Sequence, residues 1–384
     1  MSDVDAGARA VRQAPLEGAG ALLEAEHLEV HFPIKSGLLV DRKIGEVHAV
    51  SDVSFALGEG ETLGIVGESG CGKTTLIRAL MRLVDPTGGS LRFRGEDITS
   101  AKRAQMVPVR KQMQMVFQDP QASLNPRKRV GQIMSTPLRL VGAAQNEVPR
   151  RSRELLARVG LNPEHLNRFP HEFSGGQRQR IGIARALAVN PRLIMLDEPV
   201  SALDVSIQAQ VINLLEELQE ELGLSYVFVA HDLSVVRHVS DRIAVMYLGK
   251  LVELSPAQEL YDKPIHPYTR ALLSAIPIPD PRQNRARERA VVQGEPPNPI
   301  SPPPGCRFHT RCPRATDVCR TVEPQLTAYA NGHLAACHHP LSVGEGEIAS
   351  ASRSPASPLC AGSERPDVRD ASLDAQGAAL PSRG

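Results

Sequence analysis

The chain predicts an α/β domain on three observations. Short β-branched runs alternate with helical stretches from residue 23 to about residue 254, a pattern that suggests strands and helices in turn. Inside that region, Gly67-Glu68-Ser69-Gly70-Cys71-Gly72-Lys73-Thr74 fits G-x-x-x-x-G-K-[ST] at every fixed position. Further on, the apolar run 193–196 ends in two carboxylates, Asp197 and Glu198.

The elements follow in chain order. Residues 1–22 are small and polar and read as a loose tail. Runs 28–32, 53–57 and 62–66 read as strands, the last of them buried. Residues 75–82 read as a helix, so the glycine loop lies between a strand and a helix, the context that its chemistry requires. Further strands are expected at 113–117, 193–196, 226–230 and 242–247. Helical periodicity marks 148–159 and 205–222, and a helix opened by Ser174 runs to about residue 189. Proline is dense from 277 to 304, and cysteines cluster after it. Residues 340–384 are rich in Ser, Ala, Pro and Gly and read as mostly disordered. The expected organisation is a tail at 1–22, a nucleotide domain at 23–262, an extension with four cysteines at 263–339, and a second tail at 340–384.

Composition bounds the function. A length of 384 residues fits one large domain or two smaller ones, and 41% hydrophobic residues supply a core. With a formal net charge of +1, no global field points to nucleic acid or an anionic membrane. Trp is absent and aromatics are 3%, which argues against a stacking platform for single strands. No apolar run approaches the roughly 18 residues that span a bilayer. Residues 1–20 lack a secretory signal pattern. A cytoplasmic protein with six reduced cysteines is therefore expected.

The glycine loop is suited to phosphate. Its glycines let backbone N–H groups turn onto an anion, and the following helix start adds roughly half a positive charge. Lys73 would reach the β- and γ-phosphates, and the Thr74 hydroxyl would ligate Mg²⁺. Asp197, at a strand tip, suits a Mg²⁺ contact, and Glu198 could polarise the attacking water. Taken alone, such an acidic pair would merely end a strand before Pro199; the phosphate loop upstream changes that reading. Ser174-Gly175-Gly176-Gln177 opens a helix with a good N-cap, and its two glycines leave N–H groups for an anion.

These motifs, in this order, resemble an ATP-binding-cassette ATPase over roughly residues 23–254. The resemblance implies a P-loop core of the RecA type with an antiparallel β subdomain and a helical signature subdomain. It assigns nucleotide binding to residues 67–75, from Gly67 to Thr75, and catalytic roles to Lys73, Glu198 and His231. Gln118 resembles the glutamine that senses the γ-phosphate and joins Thr74 and Asp197 around Mg²⁺. Phe173 to Gln177 resembles the signature motif, with Phe173 where Leu is commoner. Ser201-Ala202-Leu203-Asp204 resembles the D-loop, and Phe32 is the best match to the aromatic that meets adenine; its alternative is a core residue. The family pairs two cassettes head to tail, each ATP lying between one phosphate loop and the other signature.

Three segments narrow the resemblance: 117–127 with its F-Q-D-P-Q-A-S-L-N-P-R, 266–273 with H-P-Y-T-R-A-L-L, and 292–297 with V-Q-G-E-P-P. Together they resemble the ATPase subunits of bacterial oligopeptide and dipeptide importers, a subfamily that also serves nickel and other solutes. The implied partners are two transmembrane permease subunits, a second ATPase subunit (a related chain rather than an identical one) and an extracytoplasmic substrate-binding protein. The implied location is the cytoplasmic face of the inner membrane. Soluble cassettes acting on DNA or the ribosome usually carry two cassettes or long insertions, which this chain lacks. A purely regulatory module would not need both Glu198 and His231.

Cys306, Cys312, Cys319 and Cys337 form C-x5-C-x6-C-x17-C, with Arg307, Arg311, Arg314 and Arg320 between them. Four cysteines with little surrounding core suggest a metal staple. The spacing matches neither a C-x2-C zinc pattern nor a ferredoxin run, so Zn²⁺ and a [4Fe–4S] cluster both stay open beside four unligated thiols in a loop, and the resemblance favours the cluster. Cys71 belongs to the phosphate loop and Cys360 to the tail.

Overall fold

The computed structural model describes residues 20–36, 42–276 and 294–341. The expected tails therefore lie outside the described residues except at their inner ends, as does most of the proline-dense stretch.

The chain opens with a long antiparallel ribbon, β1 (Ala21–Ser36) and β2 (Arg42–Gly58). β1 starts two residues inside the expected tail because Leu22 is buried. Next come β3 (Thr62–Val66) and α1 (Lys73–Leu80), joined by the glycine loop. β4 (Gly88–Phe93) and the short β5 (Glu96–Asp97) complete a four-stranded antiparallel sheet of order β2-β1-β4-β5.

The second half supplies the larger sheet. After α2 (Met106–Gln112) and β6 (Met113–Val116) come four helices: α3 (Pro120–Ser123), α4 (Val130–Leu140), α5 (Val148–Arg158) and α6 (Gly175–Leu187). Then follow β7 (Leu193–Asp197), α7 (Val205–Leu222), β8 (Ser225–Val229), α8 (Leu233–Val239), β9 (Arg242–Tyr247) and β10 (Lys250–Pro256). β9, β3, β8, β7 and β6 lie side by side and parallel, while β10 turns back antiparallel to β9. α9 (Ala257–Asp262) and α10 (Pro267–Ala275) follow. The edge beyond β10 is built by β12 (Leu334–Ala335) and β11 (Thr327–Ala328), strands of the cysteine-bearing extension.

Both faces of the parallel sheet are covered, which is why its strands read as unbroken apolar runs. Alternate residues go to opposite cores. Leu63, Ile65, Leu193, Met195, Val227 and Val229 pack with α1 and the antiparallel sheet. Val66, Ile194, Leu196, Tyr226, Phe228 and Val245 pack with the α4–α6 layer and α7. β3 has no room for a side chain at Gly64, where a Cβ would meet Val236 Cγ1 at 2.2 Å; α8 packs directly on the backbone there. The architecture is the α/β cassette fold expected, with an antiparallel subdomain on one side and a helical one on the other. No helix among the described residues is long and apolar enough to cross a membrane.

A polar knot joins the extension to the sheet. Glu253 on β10 is fully buried and accepts hydrogen bonds from the Ile265 N–H at 2.7 Å and the His266 N–H at 3.0 Å. Its Oε1 also lies 2.6 Å from His333 Nε2. Burial holds His266 down to about 4, so its neutral Nδ1 accepts from the Tyr268 N–H at 3.1 Å and caps α10.

Candidate nucleotide site

The phosphate loop needs glycine for space as well as for dihedral freedom. Gly72 has φ 109°, and a Cβ there would lie 2.0 Å from the Ala49 carbonyl oxygen. Gly67 has φ 154°, and its Cβ would meet the Met246 carbonyl oxygen at 2.2 Å. The loop is thus pressed between β2 and the end of β9. Lys73 is 5% exposed, and its Nζ donates to the carbonyls of Gly67 at 2.7 Å and Glu68 at 3.0 Å. Cys71 fills the space under the loop and is 5% exposed, and burial pushes its thiol up. Ser69 and Gly70 stand at the exposed turn, and Thr75 continues α1.

The parallel strands end on one side, and the other candidates gather there. Thr74 Oγ1 donates to Asp197 Oδ1 at 3.1 Å, joining α1 to the tip of β7. Asp197 is buried, and that burial raises its carboxyl above the ordinary value, with the neighbouring Glu198 charge adding and Thr74 opposing. Glu198 follows with φ 46°, a left-handed conformation that a β-carbon residue adopts at a cost of about 1–3 kcal/mol. Its N–H donates to the Val229 carbonyl at 3.0 Å, which locks the turn. This turn sends the carboxylate toward two partners. Gln118 Nε2, just beyond β6, donates to Glu198 Oε2 at 2.8 Å. His231 Nδ1, just beyond β8, lies 3.6 Å from the same oxygen. Three strand ends therefore converge on one carboxylate at the carboxyl edge of the sheet, where α/β sheets place their ligands.

The serine–glycine segment opens α6. Ser174 caps α6 reciprocally: its Oγ accepts from the Gln177 N–H at 3.3 Å, and its N–H donates to Gln177 Oε1 at 3.0 Å. Gly175 and Gly176 keep first-turn N–H groups that the helix itself does not use. A Cβ on Gly176 would meet Ile207 Cγ2 at 2.4 Å, so α6 packs closely on α7. Phe173 is buried beneath, as its apolar character requires. Phe32 is 40% exposed on β1, opposite Val47, and is no core residue.

Two contacts to the loop escaped the sequence. Tyr268 OH accepts from the Glu68 N–H at 3.0 Å. Arg311 Nη1 donates to Glu68 Oε2 at 2.8 Å and Oε1 at 3.1 Å, with the arginine side chain only 8% exposed. Arg311 immediately precedes Cys312. Tyr247, Tyr268 and Phe308 pack ring to ring around this strut. Both residues stood inside segments already singled out, but nothing in a linear spacing of 243 residues points from Arg311 to Glu68.

The four cysteines all lie in the extension. Burial pushes Cys306 up to about 11, with the charges of Cys312 and Cys319 adding, and pushes Cys337 up to about 12, with Cys306, Cys312 and Cys319 adding. The Cys306 N–H donates to the Cys319 carbonyl at 2.8 Å, tying two of them together by backbone. Sulfur donors suit a thiophilic metal and no hard cation, but no three of these four bring their sulfurs within 4.8 Å of one another in this structure.

Known proteins resemble the chain over most of its length. A family profile described as ABC transporter matches residues 50–201, and another, the C-terminal region of oligopeptide/dipeptide transporters, matches residues 252–319. The oligopeptide transport ATP-binding protein AppF of Bacillus subtilis is 57% identical over 319 residues, which are 83% of this chain and 97% of AppF. OppF of Escherichia coli, with the same description, is 53% identical over 313 residues, 81% of this chain and 94% of OppF. Among solved structures, cbiO1 from Clostridium perfringens, part of the cbiONQ ABC transporter complex, superposes with a TM-score of 0.54 at 26% identity, covering 63% of this chain and 91% of cbiO1. A dimeric ATP-binding cassette in a post-hydrolysis state with ADP and Pi gives a TM-score of 0.54 at 28% identity, covering 61% of this chain and 98% of that one. The chain belongs to the ABC transporter family, in the branch of oligopeptide and dipeptide transport ATP-binding proteins.

Proposed function

We propose that the chain is the ATP-hydrolysing subunit of an importer for short peptides. The observation that carries the chemistry is the meeting of Thr74, Asp197, Gln118, Glu198 and His231 beside the phosphate loop. Homology to AppF and OppF supports the peptide substrate. An importer of nickel or another solute is the alternative within the same branch.

The phosphate loop, residues 67–74, cradles the β- and γ-phosphates with its N–H groups and Lys73. Thr74, Asp197 and Gln118 would hold Mg²⁺, which when bound neutralises charge on the phosphates. Glu198 accepts a hydrogen bond from water and aims its oxygen at the γ-phosphorus. The water oxygen bonds to phosphorus and its proton passes to Glu198 as the bond to the β–γ bridging oxygen breaks, giving ADP and inorganic phosphate. His231 and Gln118 contact the γ-phosphate side. Both now rest on Glu198 Oε2, so engaging nucleotide requires them to release that carboxylate.

Ser174 to Gln177 would act on ATP bound to a second cassette, as the family's head-to-tail pairing implies, with the free first-turn N–H groups of α6 turned to that nucleotide. A related second ATPase subunit is the expected partner, with an identical copy as the alternative. Phe32 offers an exposed face to adenine. Two permease subunits would hold the pair at the cytoplasmic face of the inner membrane, fed by an extracytoplasmic binding protein. Cys306, Cys312, Cys319 and Cys337 would hold a [4Fe–4S] cluster, or Zn²⁺ as a staple.

The test is uptake. A strain lacking this gene should lose uptake of short peptides and regain it with the wild-type chain but not with Glu198→Gln. Full peptide uptake in the deletion strain, with loss of nickel uptake instead, would replace the peptide reading.

A further inference from the structure

We propose that the β1–β2 ribbon carries a divalent transition-metal site made by His31, Glu46 and His48. It is separate from both the phosphate loop and the cysteines.

The strand register creates it. His31 stands directly opposite His48, and Pro33 opposite Glu46, so His31, His48 and Glu46 share one face of the ribbon. Glu46 Oε1 lies 3.8 Å from His31 Nδ1 and 3.8 Å from His48 Nε2. The imidazole centroids are 4.3 Å apart. One ligand atom from each residue falls within 4.8 Å of the others. An ion with bonds of about 2.0–2.2 Å to nitrogen and oxygen needs such a triangle and only small side-chain rotations.

The surroundings suit a metal. Ser51 Oγ lies 3.5 Å from His31 Nε2, close enough to steady the ring with Nδ1 facing the triangle. The three side chains are 19%, 30% and 27% exposed, which leaves a path for an ion and water at its remaining positions. Two imidazoles and one carboxylate select Zn²⁺, Co²⁺ or Ni²⁺ over the hard Mg²⁺ that accompanies nucleotide.

The position gives such an ion leverage. Phe32, next to His31, projects from the opposite face of the ribbon. The His48 N–H donates to the Pro299 carbonyl of the extension at 3.1 Å. The neighbouring Ala49 carbonyl is the atom pressed against Gly72 of the phosphate loop. An ion on the triangle cross-links the strand pair at the point where ribbon, extension and loop meet.

Cobalt titration of the full-length protein, purified without oxygen, tests this. Binding at the triangle gives the visible bands of a nitrogen- and oxygen-ligated ion, whereas cysteine binding adds strong thiolate charge transfer. His48→Ala and His31→Ala should lose the first signal, with affinity falling by more than the roughly 10–100-fold that an outer partner costs. Glu46→Gln, which keeps the shape, should weaken it too and carries the test if a histidine variant melts early. His27→Ala, an exposed histidine on the same strand, should bind as the wild type does. Equal cobalt binding by wild type, His48→Ala and Glu46→Gln overturns the proposal, as does an equal loss in His27→Ala.

Discussion

Replacing Arg311 with Met should weaken nucleotide binding although Arg311 stands 243 residues from the loop it supports. Methionine keeps the apolar stem beside Tyr247 and removes the charge. Glu68 then loses a partner that it holds with both oxygens, at 2.8 and 3.1 Å. Stripping one member from a buried pair costs about 3–5 kcal/mol. Glu68 is 27% exposed, so water recovers part of that, and about 1–2 kcal/mol remains. The loss falls on the loop, because Lys73 grips the Glu68 carbonyl at 3.0 Å and the freed carboxylate adds an unpaired negative charge to a loop suited to phosphate. A change of 1–2 kcal/mol is roughly 5–30-fold in Kd. The assay is titration with a fluorescent ATP analogue, alongside thermal melting to separate binding from folding. Glu68→Gln in the same chain removes the unpaired charge and should restore much of the affinity, giving a coupling energy in a double-mutant cycle. Wild-type affinity in Arg311→Met, or a double variant no better than the single, would refute the strut.

Four further outcomes follow from the same geometry. Glu198→Gln should cut ATP turnover by about 10²–10⁴-fold while ATP still binds, as read by steady-state hydrolysis and equilibrium binding. Asp197→Asn should raise the melting temperature without nucleotide, because burial raises the Asp197 carboxyl and the folded state therefore pays for ionisation at neutral pH. That gap should close as the pH falls through the raised value, where the wild-type carboxyl is protonated as well; a lower melting temperature at neutral pH would contradict it. Gly72→Ala should cost more than about 3 kcal/mol by denaturant melting, because its Cβ would sit 2.0 Å from the Ala49 oxygen at φ 109°. Anaerobic protein assayed for iron, sulfide and zinc should carry iron and sulfide bound by the four cysteines. Zinc in their place would select the staple, and neither would remove the metal from the extension.

The parallel core was readable because its physics is local. β3, β7, β8 and β9 are covered on both faces, so each is an uninterrupted apolar run, and α7 showed its full length by periodicity. β10 was missed because its centre carries Glu253, a charge whose burial depends on Ile265, His266 and His333. β4 begins Gly88-Gly89-Ser90, which reads as a turn until β1 pairs with it. α4 contains Pro137, a residue that argues against a helix. The site shows the same division. The loop, Asp197 and Glu198 announced themselves by motif, whereas the left-handed turn at Glu198 and the Tyr268 and Arg311 contacts arise only when distant segments meet. Phe32 was undecided between an adenine contact and a core residue, and its exposure removes the core alternative.

The sheet edge beyond β10 bears on how the chain is made. A nascent chain that has emerged through residue 256 already has its parallel strands, yet β10 still lacks β12 as a neighbour. Glu253 waits for His333, made 80 residues later. Until then a carboxylate destined for full burial has no imidazole, and a strand edge stays open to the wrong partner. Synthesis interrupted in between yields a chain with a nucleotide motif but a defective edge. Closure of the sheet therefore waits on synthesis through β12, and a chain that ends before Leu334 keeps an unfinished rim.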